Sequence, residues 1–323
     1  MEIYKQILQA NNQIKSNTQY VNTTPLEKSI NLSEKYNVDL FFKCEHFQRT
    51  GSFKYRGALN KILNLTSNEK INGVTAASTG NHGLGVSLAA SICNIPATVY
   101  VPNNSCQDKL KLISSFGSKL IQVKSNDCLD AEKVARSNAK KNNQCFISPY
   151  NDLDIIYGQG TIGIEILDQV KDLDAIFVSV GGGGLISGIA HAVKSINSNI
   201  QIIGCWPENS PTLYDSLNLG YISKTSRDDD TLSDATAGKV EINSITLGLL
   251  KNHIDHKVLI SEQEIKYAMK EILFSEKWVI EGSAAVAYAG FLKLRHLFEQ
   301  KKIATLLCGR NISINKFIKI ISE

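Results

Sequence analysis

Residues 174–193 read DAIFVSVGGGGLISGIAHAV. Ala175 to Val180 is a mostly apolar run of strand length, four glycines (Gly181 to Gly184) follow without a break, and from about Leu185 apolar residues return at helical spacing. Strand, bare turn and helix make one half of a parallel α/β unit. Four successive peptide N–H groups with no side chains in the way can curl around an anion. The following helix adds its positive end, an arrangement that suits a phosphate monoester. The segment matches neither G-x-x-x-x-G-K-[ST] nor a dinucleotide fingerprint with its acidic residue at the proper distance, so nucleoside triphosphate and NAD lose ground. Taken alone, an ordinary glycine turn is the competing reading.

The same alternation extends outward. GVTAAS opens onto TGNHGLGVSLAASICN and PATVYVPN onto CQDKLKLISSFG, with SKLIQVK and NQCFISPY as further strands; QIIGCW, HKVLIS before EQEIKYAMKEILFSEKW, and KIATLLCGRN continue the theme after the glycine run. The N-terminal stretch has helical spacing at Ile3, Ile7, Leu8 and Ile14, and VDLFFKCEHFQ reads as a strand leading into the turn Gln48-Arg49-Thr50-Gly51. The 323 residues are 43% hydrophobic and 20% charged, an ordinary globular balance that makes room for about two domains and needs no metal or disulfide staple.

The formal charge is +4, without a basic run or interleaved aromatics, so nucleic acid is not an expected partner. No apolar run approaches the ~20 residues of a membrane span. Seven scattered cysteines (Cys44, Cys93, Cys106, Cys128, Cys145, Cys205 and Cys308), no CxxC and no signal-peptide pattern point to reduced thiols and a cytoplasmic setting. The polar segment 223–239 reads as a surface excursion, its DDD run as a solvated turn. His253 and His256 lack a third ligand nearby, and His46, His191 and His296 read as satisfied or exposed histidines.

Two further segments carry chemistry. Ser78-Thr79-Gly80-Asn81-His82-Gly83 follows a strand and opens a small-residue helix; its N–H groups and the Thr79 hydroxyl suit a carboxylate, and the Asn81 amide can donate to a phenolic oxygen. Two anion sites suggest an anionic cofactor meeting an anionic substrate. Lys54, in Gly51-Ser52-Phe53-Lys54-Tyr55-Arg56-Gly57, stands at a loop-to-helix junction and gains meaning only from this company.

SFKYRGA (52–58), STGNHG (78–83), GGGGL (181–185) and LCGRN (307–311) resemble, in sequence order, the pyridoxal-phosphate enzymes of the tryptophan-synthase β-like fold, in the threonine/serine ammonia-lyase and serine racemase branch. The resemblance implies an α/β protein of PLP fold type II with two domains, each a mostly parallel sheet flanked by helices. The large domain would take residues 1–51 and 149–323, and the small domain 52–148. It implies pyridoxal 5'-phosphate as cofactor, held covalently by Lys54 beside Phe53. Asn81 would meet its 3'-oxygen, Gly181, Gly182, Gly183, Gly184 and Leu185 its phosphate, and Cys308 its pyridine nitrogen. Ser78, Thr79, Gly80, Asn81 and His82 match the loop for the substrate carboxylate, with Lys54 and Thr79 as the catalytic groups.

The implied reaction is β-elimination from a β-hydroxy L-amino acid, most simply L-threonine or L-serine, to a 2-oxo acid and ammonia. Serine racemase, 3-hydroxyaspartate ammonia-lyase and a dehydratase of hydroxyectoine breakdown are the alternatives. A homodimer is implied as well. Serine racemases resemble the chain but place a second serine where Thr79 stands, which counts against racemisation. Trp206 and Thr212 occupy the positions of the family's divalent-cation ligands, so no metal is expected. His82 favours the ammonia-lyase side over cysteine synthases. The chain ends twelve residues after Asn311, so no C-terminal regulatory domain is expected. Segments 231–238 and 281–285 resemble pocket walls of the family.

Overall fold

A computed structural model describes residues 2–16, 21–105 and 107–322, the side chains at 108 and 109 aside. Two sheets organise it. In chain order the strands are β1 (Leu26–Lys28), β2 (Asp39–Lys43), β3 (Val74–Ala77), β4 (Ala97–Pro102), β5 (Lys119–Val123), β6 (Cys145–Phe146), β7 (Ala175–Ser179), β8 (Gln201–Pro207), β9 (His256–Ile260) and β10 (Lys302–Leu306). The larger sheet runs β1-β2-β10-β7-β8-β9 and the smaller β5-β4-β3-β6. Every pairing is parallel except β1 with β2. This is the α/β class expected from the alternating strands and helices.

The central strand β7 is buried along its whole length, which explains an apolar run without alternation. Ala304 of β10 sits in register between Phe41 of β2 and Ile176 of β7. The largest apolar core surrounds this sheet, and smaller clusters line the second one.

Several features differ from expectation. The strand read in 38–48 stops at Lys43 and gives way to a short 3-10 turn, Glu45–Phe47. His46, read as satisfied or exposed, is fully buried among Phe47 and Trp278, and neither ring nitrogen has a hydrogen-bond partner among the described residues. Burial pushes its imidazole down to about 4, so the ring is neutral. His253, set aside in the sequence, stacks on His191 with ring centroids 4.0 Å apart. Cys106 lies outside the described residues; the other six cysteines are free.

The longest helix, Leu153–Gln169, has no counterpart in the sequence reading, because its glycines look like breakers. Those glycines are contact points. A Cβ on Gly158 would lie 2.6 Å from Gly57 Cα in the helix Lys54–Leu63, and one on Gly188, in the helix Gly184–Ile196, would lie 2.5 Å from Gly160 N. Backbone touches backbone at both crossings, so one helix fixes the other two relative to each other.

A buried charge network ties the same helix to β2. Arg56 donates to Glu45 (2.8 and 2.9 Å) and to both oxygens of Glu165 (2.8 Å each), and Lys43 donates to Glu165 Oε2 at 2.8 Å. All four side chains are almost fully buried, and the charges balance. Burial alone would push the Glu165 carboxyl up; Arg56 and Lys43 more than offset it and hold it below its ordinary value. Glu165→Gln leaves two cations facing one carboxylate, so urea unfolding at pH 7 should show a loss of about 3–5 kcal/mol. Because the carboxyl is depressed in the fold, the deficit is full above the unfolded carboxylate range and shrinks as acid protonates Glu165 in the parent protein.

Candidate active site

Three loops at the carboxyl ends of parallel strands form the site. The loop after β7 carries the glycines, the loop after β10 carries Cys308, and the loop after β3 leads into the helix Asn81–Ile92. This end of the strands is where α/β sheets place ligands. One cavity brings together Phe53, Lys54, Asn81, Gly181 to Gly184, Leu185 and Cys308. Ser78, Thr79, Gly80 and His82 are not part of its lining; they stand at or beside the start of the helix whose first residue, Asn81, does line it.

The glycine run is held tightly. Gly183 has φ +88°, a left-handed backbone that a side chain strains, and a Cβ on Gly182 would lie 2.4 Å from the ring of Tyr150. Thr246 Oγ1 donates to the Gly182 carbonyl at 2.8 Å, anchoring the loop. Among the described residues no hydrogen bond satisfies the N–H groups of Gly181 through Leu185, and Gly183, Gly184 and Leu185 are buried. Buried donors without acceptors are costly unless a ligand supplies the acceptors. A phosphate at a helix N-terminus is such a ligand, and the donors present therefore fit the phosphate of pyridoxal phosphate.

Lys54 begins its helix with its Nζ donating to the Pro149 carbonyl at 2.7 Å and lying 5.3 Å from the Phe53 ring centroid. Burial pushes its ammonium down to about 8, against the opposing carboxylate of Glu281. A lysine at that value supplies free amine near neutrality, as covalent capture of an aldehyde requires. Burial, then Glu281, pushes the Cys308 thiol well up, so its proton stays on sulfur. His82 Nε2 lies 2.9 Å from the Ile147 carbonyl oxygen, which only accepts, so Nε2 carries the proton and donates. Burial, helped by the Lys54 charge, pushes His82 down to about 3 and keeps it neutral.

The cavity also includes Tyr150, which no pattern in the sequence singled out. Tyr150 packs its ring under Gly182 and its Cα and Cβ against Gly184, and its hydroxyl accepts from the Glu241 N–H at 2.9 Å. Thr236 and Ser283 come from the two segments that resemble pocket walls. The second half of the polar excursion 223–239 thus turns inward, with Ser233 fully buried. A tyrosine at the end of a strand candidate gave no signal by itself.

At the cation positions of the resembling family, Trp206 is fully buried and packs edge-on against Tyr214 with ring centroids 5.6 Å apart. Thr212 is buried with no hydrogen-bond partner for its hydroxyl among the described residues. An indole supplies no oxygen ligand, so this pair does not fit a hard cation.

Comparison with known proteins agrees with the geometry. The family described as pyridoxal-phosphate dependent enzyme matches residues 18–309. The L-threonine ammonia-lyase of Thermotoga maritima is 39% identical over 303 residues, which cover 94% of this chain and 75% of that protein. Among solved structures, the processed form of threonine deaminase isoform 2 from Solanum lycopersicum superposes with TM-score 0.92 at 32% identity, covering 98% of this chain and 93% of the other. Maize serine racemase superposes with TM-score 0.90 at 30% identity, covering 99% and 96%. With a lysine of lowered basicity facing a phosphate cradle, and a family match over most of its length, the chain belongs to the pyridoxal-phosphate dependent enzymes.

Proposed function

We propose that the protein is an ammonia-lyase that converts a β-hydroxy L-amino acid, L-threonine or L-serine, to a 2-oxo acid and ammonia. The observation that carries this reading is the buried, weakly basic Lys54 in one cavity with the glycine cradle, in a chain similar to a threonine ammonia-lyase. Bound pyridoxal phosphate supplies the electron sink that makes the substrate Cα–H acidic.

Lys54 would hold the cofactor through its amine and, as the base, take the substrate Cα proton. Gly181 to Leu185 hold the phosphate through their N–H groups, and Phe53 and Asn81 position the ring. Ser78, Thr79, Gly80, Asn81 and His82 take the substrate carboxylate at a helix N-terminus. Neutral His82 adds no charge there. Cys308 would stand beside the cofactor's pyridine nitrogen, and a thiol that keeps its proton would be a weak hydrogen-bond donor there rather than a charged partner.

This reading divides the chain into a small domain, 52–148, holding the four-stranded sheet, and a large one from 1–51 and 149–323 holding the six-stranded sheet; the sheet memberships support it. The working unit is taken as a homodimer, in keeping with apolar side chains left exposed such as Ile30 and Phe274. The cytoplasm is taken as its compartment, in keeping with six free cysteines. No described helix is long and apolar enough to cross a membrane.

Racemisation is the second reading, favoured by the likeness to maize serine racemase. An assay of 2-oxo acid from L-threonine, L-serine and both 3-hydroxyaspartate diastereomers, with chiral analysis of remaining serine, separates the two. Elimination predicts 2-oxo acid matching the L-serine lost, at rates indifferent to magnesium. Accumulating D-serine would sink the pure lyase, and strong magnesium dependence would contradict the reading of Trp206 and Thr212.

A further inference from the structure

Asn81, Glu281 and Asn311 form a closed ring of polar side chains at the cavity. Asn81 Nδ2 donates to Glu281 Oε1 at 2.7 Å, and the Asn311 backbone N–H donates to Glu281 Oε2 at 3.0 Å. Asn311 Nδ2 donates to Asn81 Oδ1 at 2.6 Å and to the Thr50 carbonyl at 2.7 Å. Asn81 and Glu281 are buried, and both line the cavity with Lys54. The Gly309 backbone passes so close to Glu281 that a Cβ there would lie 2.6 Å from Oε1, which confines the carboxylate.

Chemistry fixes the orientation of the Asn81 amide. An ionised carboxylate only accepts, so the NH₂ end must face Glu281, and the Asn311 amide makes the matching demand at the carbonyl end. Flipping Asn81 would break both bonds in buried surroundings. One amide N–H is used by Glu281, leaving the second for a ligand in the cavity.

We propose that Glu281 and Asn311 are positioning residues for the cofactor: together they lock Asn81 with one N–H kept for the cofactor's phenolic oxygen, and Glu281 places a negative charge near the Lys54 amine. The inference rests on the cofactor reading above. The titratable groups facing Lys54 are Cys308, Glu281, His82 and Tyr150; the thiol and phenol are pushed up and the imidazole down by burial, so among these Glu281 is the carboxylate that opposes burial at Lys54.

The test uses protein reconstituted with pyridoxal phosphate, in wild-type form and as E281Q, E281D and N311L, with cofactor affinity and the absorbance of the lysine-linked cofactor followed from pH 5 to 11. E281Q should keep the band but titrate about one pH unit lower, and E281D should restore the wild-type midpoint. N311L should keep the midpoint and bind the cofactor roughly 5- to 10-fold more weakly, since it frees Asn81 without removing charge. Identical titrations of wild type and E281Q would overturn the proposal, as would an equal midpoint shift in N311L. Should E281Q fail to fold, N311L decides alone: wild-type cofactor affinity overturns the locking role. A wild-type protein with no band at any pH overturns the cofactor reading itself, an outcome distinct from the others.

Discussion

Lys54→Ala protein will take up pyridoxal phosphate without developing the absorbance band of a lysine-linked cofactor, and its turnover will fall by at least ~10³-fold, because attachment and proton abstraction both use this amine. The structure adds a control against simple misfolding. Burial lowers the Lys54 ammonium from 10.5 to about 8, so the unfolded chain binds its proton more tightly than the fold does. Cofactor-free protein therefore gains stability as pH rises from about 8 to 10.5, and below that window the buried ammonium is a standing cost. Removing it should leave Lys54→Ala at least as stable as the parent at pH 7, by thermal unfolding, while abolishing the band. Retained turnover, or a band in the variant, would remove Lys54 from the centre of the mechanism. In the parent protein the rate of cofactor attachment should rise about tenfold per pH unit up to about 8 and then level off, following the free amine.

Gly182→Ala should weaken cofactor binding about 100-fold, measured by equilibrium dialysis, which is the loss of one or two charge-assisted hydrogen bonds. A Cβ there would stand 2.4 Å from the Tyr150 ring, and that ring cannot swing freely because its hydroxyl accepts from the Glu241 N–H. The loop must move instead, and its N–H groups move with it. Pairing the change with Tyr150→Ala should restore part of the affinity, since the second substitution removes the clash. Unchanged affinity in Gly182→Ala would mean that the phosphate is held elsewhere.

What was legible in the sequence was what lies contiguous in the chain. The strand, glycines and helix of 174–193 announce themselves because pattern and geometry share one stretch. Lys54 became legible only through the other segments in order, since nothing local separates it from other lysines. The helix Leu153–Gln169 was illegible because Gly158, Gly160 and Gly163 lower helix propensity, and only partners distant in sequence turn them into contact surfaces. Arg56, Glu45, Glu165 and Lys43 look like solvated charges until the fold closes them on one another. Tyr150 enters the cavity from about a hundred residues beyond the lysine, a distance over which periodicity carries no information, whereas Glu281 was legible only as part of a segment resembling a pocket wall.

The glycine crossings of the helix Leu153–Gln169 bear on how such a protein can change over evolutionary time. The span between the Lys54 helix and the helix that follows the glycine cradle is set by backbone lying on backbone at Gly57, Gly158, Gly160 and Gly188. The closest approaches there are to helix backbone and to the side chains of Ile7, Asn60 and Gln159, none of them a pocket-wall residue, so exchanging Thr236 or Ser283 does not reset the span. The scaffold can therefore drift toward a different amino acid while amine and phosphate site keep their separation, and the four glycines are the positions at which drift is closed.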